Sequence, residues 1–225
     1  MSDQGITYDV DIQLCIDTTG SMSPYIKQVK ERAIRLPDDL LAQMKTKDKG
    51  VDKLRVGVTA FGDYSYDGDQ SMRESGFFEL PAQTKEYQAW VDALSLVSGG
   101  DEPESGQEAL ATAMRAKWTT GGDKRRHVIV VLTDASTHDL GRAKGQPNYP
   151  DWMPANMNEL TDWWEGQAAV MDRSAKRLLL FAPDGHGWSE IGAGWENTVH
   201  VHAKAGEGLK DQDYDSVLAA IAESV

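Results

Sequence analysis

Ile12-Gln13-Leu14-Cys15-Ile16-Asp17-Thr18-Thr19-Gly20-Ser21-Met22-Ser23 is the stretch on which the fold turns. Ile12, Leu14, Cys15 and Ile16 form a short apolar run of strand type, and it delivers Asp17, Thr19 and Ser21 at alternate positions. An acid and two hydroxyls just past a buried strand make a cluster of hard oxygen ligands. Such oxygens suit Mg²⁺ or Mn²⁺ and no soft metal. The plainer alternative is that the hydroxyls cap a following helix and the acid is a solvated loop residue.

Outward from this stretch, apolar strand-like runs alternate with segments of helical period. Val10 to Ile16, Leu54 to Phe61, His127 to Thr133, Arg177 to Phe181 and Thr198 to Val201 read as strands. Pro24 to Met44, Lys85 to Leu96, Glu104 to Trp118, Met157 to Arg173 and Asp213 to Glu223 read as helices, the first entered through Ser23 as N-cap. Gly76 to Leu80 is a short aromatic strand suited to an antiparallel edge. This alternation predicts an α/β fold: a doubly wound, mainly parallel sheet with helices on both faces. Residues 1–225 read as a single domain, with no internal repeat or linker. In such a sheet, ligands bind beyond the carboxyl ends of the strands, where connections diverge to opposite faces. Asp17, Asp101 (in the turn Ser98-Gly99-Gly100-Asp101) and Asp134 can all converge there.

Acidic residues outnumber basic ones by 36 to 23, a net charge of -13, which speaks against nucleic acid and against an anionic membrane surface as partners. Cys15 is the sole cysteine, so no internal disulfide forms, and it fits a buried position in a reducing compartment. Met1 to Tyr8 is polar, without an apolar signal core, and no apolar run approaches the ~20 residues of a membrane span. A cytoplasmic location is the expectation.

Asp17, Thr19 and Ser21 resemble the D-x-[ST]-x-S first loop of the von Willebrand factor A (VWA) domain, whose metal-ion-dependent adhesion site uses three loops. Asp101 stands where that family usually carries a threonine, and Asp134, in Leu132-Thr133-Asp134-Ala135, matches the third loop. The resemblance extends over nearly the whole chain, in element order as well as motif. The Gly99 to Glu104 run, and Thr133-Asp134-Ala135 followed by His138, are similar to an intracellular subgroup that includes α-kinase-linked domains and bacterial relatives. The resemblance implies a Mg²⁺ (or Mn²⁺) ion held by Asp17, Thr19, Ser21, Asp101 and Asp134, some through water. It also implies a protein partner whose Asp or Glu completes the coordination, so the expected role is an adaptor or assembly module rather than an enzyme. A carboxylate at Asp101 adds negative charge, which predicts tighter ion retention and a weaker pull on an acidic ligand.

The segment from Ala135 to Asn156 is irregular, rich in glycine and proline, and follows Asp134, which predicts a loop over the metal face. Its Tyr149 and Trp152 read as aromatic anchors beside the ion or, equally, as parts of a lid packed on its own domain. Asp63 follows a strand and could reach the ion through water. His138 joins a second shell, meets a partner, or is an exposed loop histidine. His200 and His202 share a strand face that zinc can use, but no third ligand lies nearby in sequence. The rival function is phosphoryl transfer of haloacid-dehalogenase type. Asp17-Thr18-Thr19-Gly20-Ser21 looks similar to the D-K-T-G-T of ion-pumping ATPases, which would make Asp17 the nucleophile. Thr18 in place of the lysine, and the Gly-Gly-Asp-Glu loop, count against it. A structural subunit with a vestigial metal site is the third reading. Oligomeric state is not legible in the sequence.

Overall fold

The central strands are the chain's most β-branched and leucine-rich runs, and they are buried on both faces, as a covered parallel sheet requires. A computed structural model describes residues 7–100, 102–121, 124–166, 170–203 and 214–225. Its strands are β1 (Thr7–Asp17), β2 (Gly50–Phe61), β3 (Met72–Leu80), β4 (Arg125–Leu132), β5 (Lys176–Pro183) and β6 (Thr198–Ala203). They form one mixed sheet in the order β3-β2-β1-β4-β5-β6, parallel except for the β2–β3 pair. The chain thus winds outward from β1 in both directions, and β1 and β4 flank the point of divergence where a ligand crevice opens.

The α-helices are α1 (Ile26–Thr46), α2 (Thr84–Asp92), α3 (Gly106–Met114), α4 (Met157–Glu165), α5 (Trp188–Gly194) and α6 (Tyr214–Ser224). Strand alternation divides the core in two. Val10, Ile12, Leu14 and Ile16 of β1 pack with Leu36 and Leu40 of α1, Tyr87 of α2 and Ile221 of α6. On the opposite face Cys15, Ile129, Val131 and Leu180 pack with Leu110 of α3, Trp164 of α4 and Trp188 of α5. That second face of β1 is largely polar, presenting Asp11 and Gln13 beside Cys15 and Asp17, all buried. Every residue of α3 is buried against it, which its alanines permit by close approach. Among the described residues, no helix is long and apolar enough to cross a membrane.

Several boundaries differ from the sequence reading. Ser23 does not cap α1: residues Gly20–Met22 first make a 3₁₀ turn, Ser23 closes it, and Tyr25 occupies the N-cap position. Helix α4 stops at Glu165, where Gly166 takes an extended conformation, rather than running to Arg173. The short helix α5 lies in a stretch that carried no helical assignment, because seven residues hold too little periodicity to register. The antiparallel edge strand forms as expected and is longer, beginning at Met72.

Helix α1 contains Pro37, which cannot donate to the carbonyl of Ala33 four residues earlier. The buried Tyr87 hydroxyl donates to that carbonyl at 2.5 Å. The bond satisfies a group that would otherwise be an orphan in the core. Tyr87→Phe is therefore expected to lower stability by about 1–3 kcal/mol, read from urea unfolding. A loss no larger than that of an exposed tyrosine, such as Tyr66→Phe, would refute this assignment.

Candidate metal centre

Asp17 ends β1 and is fully buried. Its Oδ1 accepts from the Thr19 backbone N–H at 2.9 Å and from the Thr19 hydroxyl at 2.6 Å, and its Oδ2 accepts from the Thr133 hydroxyl at 2.6 Å. Burial pushes its carboxyl up to about 6, against the lowering effect of the Thr133 and Thr19 bonds and with a smaller push from Asp134. Ser21 donates its hydroxyl to Asp134 Oδ1 at 2.8 Å, and the Thr19 and Ser21 oxygens lie 3.3 Å apart. With Thr19 donating to Asp17 and Ser21 to Asp134, the proton of each hydroxyl is committed to a carboxylate. Lone pairs remain on both oxygens, an arrangement that fits a hard cation.

The sheet brings together four of the five sequence-selected ligands: Asp17, Thr19 and Ser21 from the end of β1, and Asp134 from just beyond β4. Asp101, the fifth, lies outside the described residues. A cavity of about 190 Å³ opens here, lined by Ser21, Asp134, Gly99, Gly100, Glu102 and Glu104 among others. Gly99 and Gly100 both have positive φ, +73° and +72°. A Cβ at Gly99 would come within 2.9 Å of Thr19 Cβ, so glycine lets the second loop close against the first. Asp67 holds the same loop by accepting from the Gly99 N–H at 3.1 Å, and Val97 donates its N–H to the Thr18 carbonyl at 2.8 Å. Among the described residues, no group of three or more His, Cys, Asp or Glu side chains is placed to hold a metal. The candidate centre therefore depends on its hydroxyls and on Asp101.

The supporting residues stand elsewhere than the sequence suggested. Asp63 and His138 do not line the cavity. They pair with each other at 3.0 Å, both buried, which corrects the expectation of an exposed loop histidine. Burial works to raise the Asp63 carboxyl, yet His138 and the Ser65 amide together hold it below the usual range. Tyr149 is turned inward: its hydroxyl donates to Glu108 Oε1 at 3.2 Å and accepts from the Gly141 N–H at 3.0 Å, and its ring meets Tyr64 edge-on. Trp152 is half-exposed, but it is stacked on Trp163 and covered by the Arg115 guanidinium, away from the cavity. The loop from Ala135 to Asn156 thus packs on its own domain at these two residues. His200 and His202 do share a face, with ring centroids 4.4 Å apart.

Thr133, Glu102 and Glu104 escaped selection from the sequence. Glu104 pairs with the third loop, its N–H donating to Ser136 O and its carbonyl accepting from the His138 N–H.

No protein-family profile matches the chain. An α-protein kinase, vwkA of Dictyostelium discoideum, is 26% identical over 145 residues, which cover 64% of this chain and 21% of the kinase. The matched region is thus about a fifth of that protein's length. Among solved structures, the pilus adhesin SpaC from Lactobacillus rhamnosus GG superposes on 98% of this chain and 31% of its own, with a TM-score of 0.59 at 13% identity. Proximal thread matrix protein 1 from the mussel byssus covers 95% of this chain and 46% of its own, with a TM-score of 0.53 at 11% identity. At these identities the likeness is one of fold. The chain is an α/β domain that shares its architecture with part of a pilus adhesin and part of a byssus matrix protein.

Proposed function

We propose that this chain is a VWA-type domain that holds Mg²⁺ (or Mn²⁺) and uses it to bind an acidic side chain of a protein partner. The observation that carries the reading is the linked set Asp17–Thr19–Ser21–Asp134, in which both hydroxyl protons go to carboxylates and the hydroxyl oxygens keep lone pairs for a cation. Asp17, Thr19, Ser21 and Asp134 would hold the ion, with Asp101 completing the set. The ion would supply the positive charge that a partner's Asp or Glu needs in a cavity lined by Glu102 and Glu104. Thr133 holds Asp17 in place, and the glycine pair lets the loops approach. The distant likeness to a kinase-associated region and to adhesin structures favours an interaction module. A reducing, cytoplasmic setting agrees with a single buried cysteine. The phosphoryl-transfer alternative fits less well, because Thr18 stands where the pump sequence carries its lysine.

The test is calorimetric titration of the metal-free protein with MgCl₂ and MnCl₂. Ser21→Ala and Asp134→Ala are each expected to weaken binding at least about tenfold, with the fold retained by circular dichroism. Equal affinities for wild type and both variants would overturn the assignment. Partner capture from source lysate in Mg²⁺ and in EDTA then asks whether attachment follows the ion.

A further inference from the structure

A second cavity, of about 330 Å³, lies between the β2–β3 edge and the residues that follow α3. Its lining includes Gln13, Arg55, Glu74, Phe77, Arg115 and Lys117: three basic side chains against one acid, on a chain whose net charge is -13. A cleft of that sign concentrates small anions. None of the candidate ion ligands borders it.

The sheet is built to leave this space. Gly57 pairs with Phe77 and Thr59 with Glu74, so Ser75 and Gly76 oppose Val58 alone, forming a β-bulge with Gly76 at φ +70°. Gln13 leans over Gly57, where a Cβ would lie 2.2 Å from its Oε1. Gln13 is 3% exposed, and its Nε2 donates to Thr59 Oγ1 at 2.8 Å, while its buried Oε1 has no hydrogen-bond partner among the described residues. A buried acceptor at the edge of a cavity calls for an N–H or O–H donor from whatever enters.

Two guanidinium groups lie over aromatic rings. Arg55 lies 4.6 Å over the Phe77 ring and is anchored by Asp11, and Arg115 lies 4.3 Å over the Trp152 ring. Arg115 donates no side-chain hydrogen bond to a described residue, so its fork is available for an oxyanion, with the exposed Lys117 two positions on. The Phe77 ring in the lining offers an apolar face for a planar group.

We infer that this cavity binds a small planar organic anion of the nucleoside monophosphate class. A base N–H, on the ring in guanine and uracil or on the exocyclic amino group in adenine and cytosine, would donate to Gln13 Oε1, and the phosphate would engage Arg115 and Lys117. The cavity volume falls at the small end of ligand pockets, in keeping with a mononucleotide rather than a larger ligand.

The experiment is isothermal titration of the full chain in EDTA, which keeps the result independent of the metal reading. The probes are AMP, GMP, CMP and UMP, with adenosine and inorganic phosphate as controls. Saturable binding of at least one monophosphate, tighter than about 1 mM, is expected, with adenosine and phosphate at least about tenfold weaker. The double variant Arg115→Gln/Lys117→Gln removes both charges without adding an acid beside Glu74 and should lower affinity at least tenfold, with the fold retained by circular dichroism. Gln13→Met should lower it independently by removing the acceptor. No saturable binding by any monophosphate, undiminished binding by the double variant, or parity of either control with the nucleotides would overturn the assignment.

Discussion

Asp11→Ala is expected to destabilise the protein by about 3–5 kcal/mol, the range for breaking a buried ion pair from one side. Asp11 is 1% exposed and accepts from Arg55 Nε at 2.7 Å, Arg55 Nη2 at 2.6 Å, the Thr119 N–H at 2.6 Å and the Thr119 hydroxyl at 3.2 Å. Its removal leaves a half-buried guanidinium and a backbone N–H without their acceptor, and releases the segment after α3 from the start of β1. The double replacement Asp11→Leu/Arg55→Met removes the stranded charge as well and should recover a large part of the loss. Equilibrium urea unfolding measures both. A loss under about 1 kcal/mol for Asp11→Ala, the figure typical of surface pairs, would mean that water enters this network freely.

Glu108→Gln works in the opposite direction, and its effect depends on pH. Glu108 sits on α3, 1% exposed, with Oε1 accepting from Tyr149 and Oε2 lacking a hydrogen-bond partner among the described residues. Burial pushes its carboxyl up to about 7 from the ordinary 4.5, opposed by its own-backbone and Tyr149 hydrogen bonds and aided by the nearby Asp63 charge. A raised carboxyl means that the unfolded chain releases this proton before the folded one does. Below pH 4.5 both states are protonated and glutamate carries no penalty. As pH rises towards 7 the folded state loses about 3 kcal/mol relative to the unfolded, and above that the deficit is constant. Glutamine removes the charge, so the variant should match wild type near pH 4.5 and exceed it by about 3 kcal/mol at pH 8. The difference between the two unfolding curves at each pH isolates this site from other carboxylates. A gap that does not widen between those pH values would show that Glu108 is solvated.

The sheet and the first loop were legible because their signals are local. An apolar run ending in Asp17, with hydroxyls at alternate positions, marks both the strand and the cluster of oxygens at its end within twelve residues. Asp134 was legible for the same reason, at the end of a β-branched run. The partners that hold these residues were not. Thr133 reaches across 116 positions to Asp17, and His138 across 75 to Asp63. Nothing in either neighbourhood specifies such a pairing. Tyr149 shows the limit most clearly: the sequence left it as a recognition aromatic or as part of a lid packed on its own domain, and Glu108 on α3, which draws its hydroxyl inward, favours the second. The polar row Asp11–Gln13 was hidden because alternation with isoleucine and leucine reads as an ordinary half-buried strand. Only the all-buried helix α3 reveals that the polar side is also covered.

The place of β1 in the sheet constrains how the protein is made. Its neighbours are β2 and β4, both parallel to it, so one side pairs with residues 50–61 and the other only with residues 125–132. On a ribosome, β1 emerges with one edge open and stays so until residues 125–132 have followed. Over that interval Asp17 also lacks Thr133, and Ser21 lacks Asp134. The candidate ion pocket thus holds only its local Asp17–Thr19 and Thr19–Ser21 contacts in a nascent chain. It is completed only once the fourth strand brings Thr133 and Asp134 to the middle of the sheet.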